Sequence, residues 1–422
     1  MDEPVLNPSF CAGSPLLFAG DYEVVGPDPR LGHREVAGLG VDMIFIHYHH
    51  RHEFEGGHPR GLWGSICPDG GRPDWSELDS VVRSAKRHFS KIALYPVGWA
   101  HMVPQCLGET VLDVDPEVIA DWVLMVVERY GRDVDLFPIF YELNVFDLFF
   151  QATHGQPYGQ RQREHIIECL TCCAEKVESR LGQHALAKLT AATFVELTQS
   201  SFYWMSEGKL LELPRGSTLV DGPLSPPDLV TLADQMDTAG RVRHGRAVRQ
   251  LLHTLVFWNA DDSGAANFVG DDIRRLVSAN VIYDREENPR GFIHTLLPGW
   301  DAQPQNTYEY LLSRMVPEMK VPSPSDCLEL HYGSFESVMK SDDLPSWVKT
   351  RIVGFVLDDV FKCRKQSGVT SAVVPTESVF GELRTASEPA YVTPIGDRYA
   401  QLINYQRDAL AEPIIRKERI GK

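Results

Sequence analysis

The stretch that most constrains this chain is Leu136 to Asp147, Leu-Phe-Pro-Ile-Phe-Tyr-Glu-Leu-Asn-Val-Phe-Asp, an apolar run that breaks off into polar groups. Six apolar or aromatic residues in succession need cover on both faces, as strands of a parallel sheet have it. Glu142, Asn144 and Asp147, in contrast, each require water, a protein partner or a ligand. A strand buried on both sides and ending in a polar cluster is therefore expected, with its chemistry at the carboxyl end.

The rest of the chain alternates strand and helix signals around that segment. Strands are expected at Leu16–Glu23, Val41–His50, Ile92–Trp99, Leu136 onward, Lys188–Val195, Gly291–Leu297, Cys327–Tyr332 and Val369–Pro375. Helical spacing of apolar residues marks the segment from Asp74 through Phe89, then Pro116–Tyr130, Arg161–Leu181, Tyr308–Met319 and Trp347–Gln366. Between strands five and six lies a long excursion, residues 199–289, with helices expected near Pro227–Asp237, Arg246–Trp258 and Asp271–Ala279. Eight strands with helices between them favour an α/β fold of the (β/α)8 type, one domain over residues 1–422 carrying that insertion. An open doubly wound sheet is the rival, and it is weakened by the lack of a Gly-rich phosphate loop after the first strand.

Composition narrows the partners. Lys plus Arg number 41 against 58 Asp plus Glu, a net charge of −17, which repels nucleic acid and anionic membranes. The one dense basic segment, Arg241 to Arg249, reads as a solvated helix face or a small-anion contact. No apolar run approaches the ~18 residues of a membrane span, and the acidic start lacks a signal pattern, so a cytoplasmic protein is expected. The eight cysteines are scattered apart from Cys169, Cys172 and Cys173, which read as small buried side chains on one helix.

Several pieces, in this order, resemble the clan of glycoside hydrolases built on the (β/α)8 barrel. They are Gly20-Asp21-Tyr22, Gly38 to Ile46, Pro73 to Asp79, Tyr141-Glu142-Leu143-Asn144, Phe292-Ile293-His294 running on to Pro298-Gly299-Trp300, and His331-Tyr332-Gly333. The resemblance implies an enzyme acting on a glycoside or sugar-derived small molecule through carboxylates at strand ends. It also exposes two departures: the family's acid/base Glu directly follows the strand-four Asn, where this chain has Val145, and its strand-seven nucleophile falls at His331. The carboxylates left to serve are Glu142, Asp147, Glu196, Glu329, Glu336 and Glu377, with Glu142, Glu377, Glu196 and Asp147 the candidates taken forward. Asn144, His47, His49, Trp99, His101, His294, Trp300, His331 and Tyr332 stand as candidate sugar contacts, with aromatic faces suited to stacking.

Two alternatives remain beside it. His47 and His49 share one face of a strand, and such a pair, with His294, resembles the metal site of amidohydrolases. The partners which that site needs on strands five and eight read as Glu196 and Glu377, so no metal and no other cofactor is expected. The other alternative is a pseudo-enzyme barrel binding a sugar or a protein partner.

Overall fold

The computed structural model describes residues 17–24, 33–48, 61–68, 70–100, 102–147, 150, 157–195, 203–206, 209–212, 222–238, 240–258, 347, 352–361, 373–375, 390–392, 400–401 and 403–404. In chain order the elements are β1 (Leu17–Val24), α1 (His33–Gly38), β2 (Met43–Tyr48), α2 (Gly61–Ile66), α3 (Ser76–His88), β3 (Lys91–Leu94), α4 (Pro116–Tyr130) and β4 (Phe137–Phe140). They continue with α5 (Gln160–Leu181), α6 (Gln183–Leu186), β5 (Leu189–Val195), the β6–β7 hairpin (Tyr203–Ser206 and Lys209–Glu212), α7 (Pro226–Met236), α8 (Arg243–Leu251), β8 (Leu255–Trp258), β9 (Ile352–Phe361), β10 (Val373–Pro375) and β11 (Ala390–Val392).

Local chemistry explains where the helices start. Asp115 accepts the Glu117 amide at 2.8 Å, and Pro116 occupies the first turn of α4, where its missing N–H costs nothing. Ile119, Trp122, Val123, Val126, Val127 and Tyr130 then fall on one buried face. In α3 the Asp74 carboxylate takes the Ser76 amide at 3.0 Å, acids occupy the first turn and Lys86, Arg87 and His88 the last, matching the helix dipole.

The principal sheet runs β3-β2-β1-β9-β8-β5-β4, and every neighbouring pair along that path is parallel. Its two ends also meet: Ala93 bridges Leu136 and Gly98 bridges Phe140, both in parallel sense. The Leu94 amide bonds the Leu136 carbonyl at 3.0 Å, and the Tyr141 amide bonds that of Gly98 at 2.9 Å. Each interior strand of the path therefore has a parallel neighbour on both sides, and the bridges bring the loop after β3 against β4. Along β2 the two faces separate cleanly. Ile44 and Ile46 join the large cluster shared with α3, α4 and α5, while Met43 and Phe45 are just as buried on the opposite face, where the Phe45 ring meets Tyr95 at 5.7 Å. Burial of both faces is what a parallel sheet requires.

Trp122 anchors the helical layer on the β3–α4 side. Its indole stacks between Trp63 (5.3 Å, 2° between planes) and Trp75 (5.4 Å, 7°), and its N–H donates to the Pro96 carbonyl at 2.8 Å. Arg129 lies over Trp75 at 5.2 Å and forks onto Asp79 at 2.9 and 2.5 Å, and the Tyr130 hydroxyl donates to the same carboxylate at 2.8 Å. The Arg129 hydrogen bonds hold the Asp79 carboxyl below the usual carboxylate range.

Two expected helices need correction. The one placed at Arg246–Trp258 ends at Leu251, and Leu255–Trp258 is instead β8, paired with both β5 and β9. The one placed at Trp347–Gln366 contains the strand β9, set between β1 and β8. Both segments are short apolar runs whose period fits either state. Their β-branched and aromatic residues, and the covered position between two parallel strands, decide for strand. The parallel strand beside β5 thus falls within residues 199–289, ahead of the expected Gly291. The elements expected at Asp271–Ala279, Gly291–Leu297, Tyr308–Met319 and Cys327–Tyr332 lie outside the described residues.

The basic run lies on α8 as an exposed to half-exposed helix face, and three of its arginines pair with the chain's own acids. Arg243 pairs with Glu168 (2.6 Å) and Glu175 (2.8 Å), Arg246 with Glu178 (2.8 Å) and Arg249 with Asp234 (2.5 Å). His244 has Asp237 at Nδ1 (2.8 Å) and Glu168 at Nε2 (2.9 Å). These contacts fasten α8 to α5 and α7. Cys169, Cys172 and Cys173 are buried thiols on α5, as expected from sequence, and burial pushes Cys172 up to about 12.

Candidate active site at the ends of β3, β4 and β5

At the end of β4 the backbone turns sharply. Glu142 adopts φ 52° and ψ 45°, a left-handed conformation that side chains with a Cβ rarely take, and leads into a 3-10 turn over Leu143–Val145. Glu142 is 5% exposed and Asn144 is fully buried. A carboxylate held in that conformation at a strand end is a strained, functional-looking arrangement, since such strain persists where surrounding structure fixes it.

Aromatic rings cluster on the residue before it. Tyr141 meets Tyr95 edge-on at 5.2 Å and lies tilted against Trp99 at 5.6 Å. Tyr95, directly after β3, donates its hydroxyl proton to Thr193 Oγ1 on β5 at 3.4 Å. The same oxygen accepts the Glu142 amide at 3.3 Å. Three neighbouring strand ends are tied together through one threonine. Gly98, at φ 92°, lets the chain after β3 fold back to bridge Phe140, which brings Trp99 beside Tyr141.

Asp147 sits further along the same loop, 3% exposed, and accepts the Tyr158 amide. Burial raises its carboxyl above the ordinary range, with the Tyr158 hydrogen bond and nearby Arg163 opposing. One of its oxygens is thus committed to holding the loop before α5. Next to that loop a cavity of about 480 Å³ opens among Thr110, Asp113, Phe150, Arg161, Gln162 and His165. It lies on the carboxyl-end side of the strands, because both bordering segments follow β3 and β4.

Of the residues singled out from sequence, Glu142, Asn144 and Trp99 lie together at this end, and Asp147 lies beside them in a bracing role. His47 is at the end of β2, its backbone paired with Glu23 of β1. Glu196, Glu377, His49, His101, His294, Trp300, His331 and Tyr332 lie outside the described residues. Tyr95, Tyr141 and Thr193 were not anticipated as site residues. A hydroxyl within the small, apolar run Leu-Thr-Ala-Ala-Thr-Phe-Val was the available signal for Thr193. Among the described residues no three His, Cys, Asp or Glu side chains are grouped so as to hold a metal ion, and no helix is long and apolar enough to cross a membrane.

No protein-family model and no curated protein sequence matches the chain. Among solved structures it is similar to a GH10 structure from Paenibacillus barcinonensis (12% identity, TM-score 0.34, 61% of this chain and 63% of that one). It is similar also to a beta-glucosidase from Exiguobacterium marinum (10%, 0.46, 95% and 98%) and to the AHE enzyme from Alicyclobacillus herbarius (11%, 0.44, 96% and 99%). The chain spans less than two thirds of the length of the Paenibacillus structure. At this divergence no residue inherits a role from these proteins.

Proposed function

We propose that the chain is a (β/α)8 barrel with an insertion within residues 199–289, and that its strand ends bind and hydrolyse a glycoside or sugar-derived small molecule. The observation that carries this is Glu142: a buried carboxylate in a strained left-handed turn at the end of β4, directly after Tyr141, whose ring meets Tyr95 and Trp99, and two residues before the buried Asn144. Aromatic faces stack on the apolar faces of sugar rings, while the amide and carboxylate meet hydroxyl groups. Asn144, His47, His49, Trp99, His101, His294, Trp300, His331 and Tyr332 are assigned to ligand contact.

Hydrolysis of a glycosidic bond adds water across the C–O bond: an acid protonates the leaving oxygen, and the anomeric carbon takes the oxygen of water, directly or through a carboxylate ester. Glu142 is assigned one of the two carboxylate roles. Glu196, Glu377 and Asp147 are the candidates for the other. A partner about 5 Å away implies retention of configuration, and one about 6.5–9.5 Å away inversion. The reaction needs no cofactor, and a soluble metabolite in the cytoplasm is the substrate assigned.

Glu142→Gln keeps the shape and removes the ionisable group. Against a panel of aryl glycosides its kcat is expected to fall at least ~10²-fold with an unchanged melting temperature. Normal turnover by this variant overturns the assignment. Saturable sugar binding without turnover by the unmutated chain favours the second reading, a non-catalytic sugar-binding barrel. Val145, standing where the resembling family keeps its acid/base Glu, is the observation behind that reading.

A further inference from the structure

We infer that Thr193 is a positioning residue that fixes the Glu142 carboxylate, an inference that rests on the hydrolytic role proposed for Glu142. Thr193 is fully buried on β5, and its single side-chain oxygen accepts from two different strand ends, the Glu142 amide at 3.3 Å and the Tyr95 hydroxyl at 3.4 Å. A hydroxyl oxygen has two acceptor lone pairs, so these two donors fill it.

What this does for Glu142 follows from its backbone. The left-handed conformation at φ 52° is unfavourable for a residue with a Cβ, so it persists where something holds it. The Glu142 amide lies past the end of β4 at Phe140, and Thr193 supplies it an acceptor. Tyr95 closes the frame from β3, and its ring in turn packs edge-on against Tyr141, the residue before Glu142. Loss of the oxygen removes the one acceptor that ties these two strand ends together and frees the turn to relax toward a common backbone conformation. The carboxylate would then move relative to a bound substrate, and misplacement by ~1 Å can cost ~10²-fold in rate.

The alternative for Thr193 is a packing residue of the sheet interior, and the side-chain series separates the two. Thr193→Val keeps the shape and removes the oxygen. Thr193→Ser keeps the oxygen and removes the methyl group. Positioning predicts that Val lowers kcat ~10- to 100-fold with KM within ~2-fold and an altered pH profile of kcat, and that Ser stays within ~3-fold of the unmutated rate although it packs less well. Packing predicts the reverse ranking, with Ser the poorer variant. Should the Val variant fail to fold, Tyr95→Phe removes one of the two donors without touching Thr193, and an unaltered rate and pH profile in Ser together with Tyr95→Phe weakened in kcat supports the frame. A Val variant with the unmutated kcat and pH profile, beside an inactive Glu142→Gln, overturns the inference and leaves the hydrolytic assignment standing. An active Glu142→Gln instead removes the hydrolytic assignment itself.

Discussion

The left-handed turn at Glu142 makes an unusual prediction about glycine. In an ordinary helix interior, replacing Ala by Gly costs about 1 kcal/mol, because glycine has more freedom to lose on folding. At φ 52° and ψ 45° the sign is expected to invert. Relief of Cβ crowding in the left-handed region contributes about 1–2 kcal/mol in favour of Gly. The greater freedom of Gly in the unfolded chain takes back about 0.4–1 kcal/mol. Taking middle values, Glu142→Gly should be more stable than Glu142→Ala by about 0.8 kcal/mol, roughly fourfold in the folding equilibrium. Both variants lose the same carboxylate and every contact beyond Cβ, so their difference is confined to the backbone and the Cβ itself. Urea unfolding at neutral pH, followed by circular dichroism, gives the two midpoints, and equal slopes would show that the same surface is exposed in each. A Gly variant equal to or weaker than Ala, at equal slope, refutes the claim that the turn is strained. Neither variant should turn over a glycoside.

Asp147 and Asp79 yield opposite pH behaviour. Asp147 has its carboxyl raised by burial, so its contribution to stability is fullest below the ordinary carboxylate range and is lost as pH rises through the elevated folded-state value. Asp147→Asn, which still accepts the Tyr158 amide, should therefore match or exceed the unmutated melting temperature at neutral pH, while Asp147→Ala should lose about 1–3 kcal/mol in chemical unfolding. Asp79 has its carboxyl lowered by the Arg129 hydrogen bonds, so its contribution is present above the ordinary range and lost as pH falls through the depressed folded-state value. Asp79→Asn should cost roughly 1 kcal/mol at neutral pH and flatten the acid limb of the stability curve; an unchanged acid limb would show that the Arg129 fork does not hold α3 to α4.

Much of the first half of the fold is legible in the sequence because its signals agree with one another. At α4 an Asp-Pro cap, an apolar stripe and a closing Gly131 all point to Pro116–Tyr130, the bounds found. At Ile352–Phe361 and Leu255–Trp258 nothing local decides: an apolar run of that length satisfies a buried helix or a buried strand, and the deciding contact is a partner strand far away in sequence. The site divides in the same way. Glu142 and Asn144 announce themselves as polar groups breaking an apolar strand. Thr193 and Tyr95 look like ordinary members of buried strands, and their importance comes from a 98-residue separation closed by one hydrogen bond. The basic run reads correctly as an exposed helix face, but its pairing does not show, because its acids lie on α5 and α7, beyond any window that charge patterning can see.

The three stacked indoles of Trp63, Trp122 and Trp75 give this molecule a built-in optical gauge. Rings separated by little more than 5 Å exchange excitation energy and sit in a fixed asymmetric field, sharpened by the Arg129 charge above one end. Their near-ultraviolet dichroism and emission therefore report whether α2, α3 and α4 are seated on one another, and Trp122 extends the report to the loop after β3 through its bond to Pro96. Light alone can then distinguish a ligand that tightens the β3–α4 side of the sheet from one that binds without being felt there.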